Sequence, residues 1–70
     1  MSWVTLGGNV IDSARYDVLT MELELVFTVT GRTCLYLEVS EDVWYGLKFA
    51  RFPDQYFQNH VRGRYEEYRL

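Results

Sequence analysis

Cysteine, histidine and proline each occur once in this 70-residue sequence, as Cys34, His60 and Pro53. A lone cysteine excludes an internal disulfide. With one histidine beside it, a zinc site built from those two residue types is excluded as well. The acidic residues show no calcium-loop spacing, so neither a metal nor a cofactor is expected. No apolar run reaches the roughly 18 residues that argue for a membrane span. No basic start followed by an apolar stretch marks a signal peptide. With a free thiol, the expected location is the cytoplasm. The pair Gly7-Gly8 lacks the lysine and following Ser/Thr of a phosphate-binding loop.

What is present is apolar. Hydrophobic residues make up 49% of the chain and aromatics 17%, which argues against disorder. A chain this short forms one domain and buries only about 60% of the surface its unfolded form exposes, so extra stability must come from close packing or association. The net charge of −3 is unevenly spread. Residues 1–45 carry Arg15 and Arg32 against seven carboxylates, for −5; residues 46–70 carry five cations against three carboxylates, for +2. A basic footprint for nucleic acid could come only from the C-terminal third.

Alternation predicts strands over residues 10–16, 21–29 and 33–39. In the first, Ile11 falls in phase with Ser13 and Arg15. In the second, Met21, Leu23, Leu25 and Phe27 share one face. Thr30-Gly31-Arg32 is a turn short enough to make the last two strands a hairpin. The period then changes. Ser40 reads as a helix N-cap with Glu41 and Asp42 in the first turn, and Val43, Trp44 and Leu47 form a stripe that Ala50 extends. Gly46 weakens this helix and marks a close packing contact. Pro53 opens a second short helix that Gly63 ends. The expected fold is α+β: a small three-stranded antiparallel sheet followed by two short helices packed on one face. Residues 1–9 read as an arm, 10–65 as the domain and 66–70 as a tail.

One strand departs from the pattern of a half-solvated sheet. Leu35 and Leu37 alternate with Cys34 and Tyr36, so both faces are largely apolar, and Val26 joins the second face. Either the arm carrying Trp3 covers it or a second copy does. Trp3, Val26, Leu35 and Leu37 are the expected interaction face.

Catalysis needs a nucleophile or an acid–base pair within reach. Cys34 and His60 are the only pair of that kind. Cys34 lies mid-strand with nothing to lower its pKa, and His60 stands beside Arg62, so no enzyme is expected. A better constellation is Lys48, Arg51, His60, Arg62 and Arg64, interleaved with Tyr45, Phe49, Phe52, Tyr56, Tyr65 and Tyr68. Such cations contact phosphates while such rings stack on unpaired bases.

From Ile11 to Tyr65 the chain resembles the KTSC domain family. The family's Gly-Tyr-Asp turn is matched by Tyr16-Asp17, with Arg15 in the glycine's place. Its alternating strand is matched by Leu23-Glu24-Leu25-Val26-Phe27. Of its central Tyr-x-Tyr, Tyr36 remains and Cys34 replaces the first tyrosine. Val39 to Trp44 echoes its Val-Pro-x-x-Val-Tyr segment, and Tyr56-Phe57, Val61-Arg62 and Tyr65 echo its last motif. A basic, glycine-containing loop before the aromatic pair is replaced by Phe52-Pro53-Asp54. The family comprises short domains at the C-terminus of some lysyl-tRNA synthetases and stand-alone bacterial and phage proteins. That context implies RNA binding, with Arg62 either holding an anion or locking the second helix to backbone carbonyls. From residues and resemblance together, the expectation is a non-enzymatic module that binds a protein partner, or itself, and modulates or inhibits that partner. RNA binding through the C-terminal third is the alternative.

Overall fold

Alternation builds the middle of the sheet. In the computed structural model, which describes residues 2–70, Leu23 and Leu25 of β3 (Glu22–Phe27) are fully buried while Glu22, Glu24 and Val26 point to the other face. In β4 (Thr33–Tyr36), Cys34 and Tyr36 are the buried pair. The β2 strand (Ile11–Asp17) does not keep a simple period. Its register against β3 shifts between Ile11 and Ser13, so Ile11 and Ala14 are both fully buried although they are three residues apart. The extra residue of the bulge, Asp12, is exposed. A bulge inverts the facing of everything before it, which is why Ile11 does not share a face with Ser13 and Arg15 as strict alternation predicts.

The sheet has five strands, not three. β1 (Val4–Thr5) pairs with β2, and β5 (Glu67–Arg69) pairs with β4, giving an antiparallel meander in the order β1-β2-β3-β4-β5. The arm and the tail therefore each supply an edge strand; residue 1 of the arm lies outside the described residues. Strands of two and three residues are too short to show a period, so the sequence gives no sign of them.

β3 and β4 are also shorter than the expected segments. Met21 and Glu38 take positive φ, 59° and 55°, and these turns bound β3 and β4. After Glu38 the chain swings Val39 back into the core, where its N–H donates to the Met21 carbonyl at 2.9 Å and its carbonyl accepts from the Tyr16 hydroxyl at 2.5 Å.

Helix α1 (Glu41–Lys48) starts at Ser40, whose hydroxyl accepts from the Val43 N–H, with Glu41 and Asp42 in the first turn. Trp44 and Leu47 are its buried residues. Helix α2 (Pro53–His60) begins with Pro53 and buries Phe57. Both helices lie on the face that carries Ile11, Ala14, Tyr16, Leu23, Leu25, Cys34 and Tyr36, and Val39 and Val61 complete the core. Tyr16 stacks on Trp44, with centroids 5.6 Å apart. Phe57 meets Phe27 and Tyr36 edge-on. Gly46 is the contact point of the two helices: a Cβ there would lie 1.9 Å from the Tyr56 hydroxyl oxygen and 2.3 Å from its ring carbon Cζ. The close contact expected at Gly46 is present.

Candidate functional site: an aromatic and cationic surface on the first helix

Burying Trp44 and Leu47 turns the opposite side of α1 to solvent, and that side is also aromatic. Tyr45 and Phe49, four residues apart, stack with centroids 6.2 Å apart and planes within 6°. Phe49 is 73% exposed and the following Phe52 63%, far more than core residues of this domain. The Lys48 ammonium lies 5.5 Å from the Phe49 centroid and 5.9 Å from that of Trp44. The Arg51 guanidinium lies 5.6 Å from the Phe52 centroid. Cations held over ring faces in this way are attracted by the ring quadrupole. His60 rests its ring on Tyr56 at 4.3 Å, and with Arg51 and Phe52 it lines a shallow groove against α2.

Three of the five expected basic residues, Lys48, Arg51 and His60, thus stand on or beside one surface. Arg62 and Arg64 do not. Arg64 Nε donates to the Asn59 carbonyl at 3.1 Å, and its neighbours are Leu37, Glu38 and Glu66. Arg62 donates to the Gln58 side chain at 3.0 Å and lines a separate cleft. Its main-chain N–H donates to the Phe57 carbonyl at 3.0 Å, but among the described residues its guanidinium reaches no backbone carbonyl, so the locking role is not seen.

The outer face of the sheet is less apolar than Leu35 and Leu37 suggest. Its central row is Arg15, Glu24, Leu35 and Tyr68, and the next is Ser13, Val26 and Thr33. Arg15 and Glu24 form an ion pair, the only one among the described residues. The Trp3 ring lies under the Arg15 guanidinium, 4.7 Å from centroid to Cζ, and is 43% exposed. The arm therefore covers the β2 side of this face and Tyr68 of β5 flanks Leu35. Val26, Leu35 and Leu37 are all half-buried.

Cys34 and His60 line different clefts. Burial, with the Glu67 carboxylate nearby, raises the Cys34 pKa, partly offset by Arg69 and Arg32, so the thiol stays protonated. A protonated, buried thiol is a poor nucleophile.

The family-motif residues are mostly structural. Tyr16 fixes Val39, and Asp17 accepts from the Leu19 and Thr20 N–H groups in the turn after β2. Tyr36 donates to Glu67, linking β4 to β5, and its pKa is raised well above the ordinary phenolic value by burial and by that carboxylate. Tyr56 packs on Gly46 while Phe57 and Val61 are core and Tyr65 is half-buried. Arg62 is the one cation among them, and with Phe57 it lines a separate cleft.

Sequence reasoning also misses Asp54. Its carboxylate accepts from the Asn9 N–H at 2.8 Å and the Ile11 N–H at 2.9 Å, tying α2 to the start of β2. Gly8 permits this approach, since a Cβ there would lie 2.2 Å from an Asp54 oxygen. An Asp in a helix first turn looks like a dipole partner, and nothing local reveals a contact 45 residues away.

Among the described residues no cluster of His, Cys, Asp and Glu is arranged to hold a metal, and no helix is long and apolar enough to cross a membrane. No curated protein matches this chain. The crystal structure of a KTSC domain protein from Yersinia pestis superposes with a TM-score of 0.92 at 23% identity, covering 99% of this chain and 96% of that one. At that identity the likeness shows a shared fold. The model of the KTSC domain matches residues 9–65. This chain belongs to the KTSC domain family.

Proposed function

We propose that this domain is a non-enzymatic binding module that docks a protein partner through Tyr45, Lys48, Phe49, Arg51 and Phe52. The observation that carries the reading is the exposure of Phe49 and Phe52 at 73% and 63%, which serves no packing role. Large exposed aromatics grouped together are the residues that dominate interface energies. Rings this exposed are fully desolvated only when a partner covers them, and an anchor of this type is worth roughly 2 kcal/mol or more on truncation. Lys48 and Arg51 at the edge of the rings select the partner's chemistry: an apolar pocket rimmed by carboxylates. Binding of that kind would modulate the partner by covering it.

The same pairing of rings and cations supports single-stranded RNA as a second reading, since bases stack on exposed aromatics while Lys48 and Arg51 reach phosphates. The net charge of −3 favours the protein. A photo-crosslinking residue placed at position 49, with a matched one at exposed Val29, separates the two. The expected result is a protein adduct from position 49 that is absent from 29. The purified partner should then bind with an affinity that falls at least tenfold in Phe49→Ala/Phe52→Ala. An adduct with nucleic acid would favour the RNA reading, and an adduct with a second copy of this chain would favour self-association. Equal yields from 49 and 29 would sink the assignment of this surface.

A further inference from the structure

The second open feature of the molecule lies on the far side of α2. The two helices cover the middle of the sheet but leave the inner side of β5 open. Between β5, the turn before β4 and the end of α2 runs a cleft of about 560 Å³. Its size falls within the range of small-ligand sites. Three guanidiniums reach it from three separate elements: Arg32 from the β3–β4 turn, Arg62 from just after α2, and Arg69 from β5. Among the described residues none is in an ion pair. Among the described residues the Arg32 and Arg69 guanidiniums make no hydrogen bond, and that of Arg62 uses one N–H on Gln58. That contact steadies the Arg62 group and leaves its other four donors free.

Like charges gathered on one cleft repel each other, so the arrangement costs stability unless something answers it. Glu67 is the single carboxylate on the lining and is already engaged by the Tyr36 hydroxyl. Three cations against that one anion leave a surplus of two positive charges. A phosphomonoester carries about −1.5 to −2 at pH 7 and offers three acceptor oxygens to guanidinium forks. A carboxylate supplies half that charge, and a backbone phosphodiester likewise carries one. The floor is of another kind: Phe27 and Phe57, edge to face at 5.7 Å, with Val10 beside them. A ligand with a charged head and a planar, apolar body fits both parts.

We propose that this cleft binds an organic phosphomonoester of nucleotide type, its phosphoryl group held by Arg32, Arg62 and Arg69 and its planar body laid against Phe27. This site is separate from the α1 surface and does not rest on the protein-binding reading.

The test is a titration of the whole chain, followed by amide NMR shifts and calorimetry, with AMP, adenosine and inorganic phosphate in parallel. AMP should shift the amides of Thr30, Arg32, Arg62 and Arg69 and bind more tightly than either of its parts. Its affinity should weaken as pH falls through the second phosphate pKa near 6. Arg62→Gln and Arg69→Gln should each cost about tenfold or more, as expected for a lost charged hydrogen bond. Arg64→Gln, which removes the same charge outside the cleft, should leave binding within twofold. A 5′-phosphorylated dinucleotide distinguishes sources: tighter binding than AMP points to a strand end, equal or weaker binding to a free nucleotide. Three results would overturn the proposal: adenosine binding as well as AMP, inorganic phosphate binding as well as AMP, or full AMP affinity in Arg62→Gln/Arg69→Gln. Both arginines are exposed, and retained amide dispersion in the variants confirms the fold.

Discussion

Replacing Asp54 tests how the helical layer is fixed to the sheet. In Asp54→Ala two backbone N–H groups lose a charged acceptor. The Ile11 amide, at 2.9 Å, is partly buried and stands at the start of the bulged strand, whereas the Asn9 amide, at 2.8 Å, is exposed. Water replaces the acceptor at Asn9, so that bond contributes little. At Ile11 the loss takes the range for bonds to charged groups, about 1.5–3 kcal/mol. Removing a negative charge from the first turn of α2 adds about 0.3–1 kcal/mol. The expected cost is about 2–4 kcal/mol, a large fraction of what a domain this size holds in total. In urea denaturation the midpoint should drop with an unchanged slope, and the Ile11 amide should lose its protection from exchange while Asn9 changes little. Gly8→Ala attacks the same contact from the other side, since its Cβ would lie 2.2 Å from an Asp54 oxygen. Its cost should be largely absent in the Asp54→Ala background. A stability loss under about 0.5 kcal/mol in Asp54→Ala, the size typical of an unremarkable surface site, would refute the latch.

Two further perturbations address the core. Gly46→Ala should destabilise despite a helix-propensity gain of about 1 kcal/mol, because its Cβ meets the Tyr56 ring; in a Tyr56→Leu background the same change should become stabilising, and thermal unfolding of the four proteins reads the sign. Tyr36, Tyr16 and Tyr56 all have raised pKa values, with burial the first cause of each. Unfolded tyrosines lose their protons above pH about 10 while the folded ones keep them, so the unfolded state binds fewer protons there. Stability should therefore be insensitive to these groups below that pH and decline above it, by at most about 1.4 kcal/mol per pH unit for each group. Tyr36→Phe should make the decline shallower, and an unchanged slope would contradict the assignment.

The sequence was legible where a period ran long enough to be seen. Leu23 and Leu25, the Ser40 cap, the Pro53 start and the contact at Gly46 could all be read locally. The two edge strands could not, because Val4–Thr5 and Glu67–Arg69 are defined by their partners rather than by their own alternation. The bulge at Asp12 was hidden for the opposite reason: strict alternation fits residues 10–16 until the buried positions of Ile11 and Ala14 are compared. Leu35 does stand on the outer face of β4, yet its neighbours there are Glu24 and Tyr68, and Trp3 packs on Arg15 two strands away, so that face is mixed and not apolar. Part of the candidate site was legible as the run from Tyr45 to Phe52, because the helical period already set Trp44 and Leu47 on the other side. Arg32 and Arg69 were missed as partners of Arg62, since 30 and 7 residues separate them in sequence and only the β4–β5 pairing joins them.

The central claim is that Phe49 and Phe52 are exposed for a partner and not for the fold. Measuring the unfolding midpoint and the partner affinity of the same Phe49→Ala/Phe52→Ala protein tests it most directly. The account predicts stability within about 0.5 kcal/mol per site of the parent, as for surface positions without packing, together with at least a tenfold loss of affinity. A large fall in stability with affinity intact would contradict it.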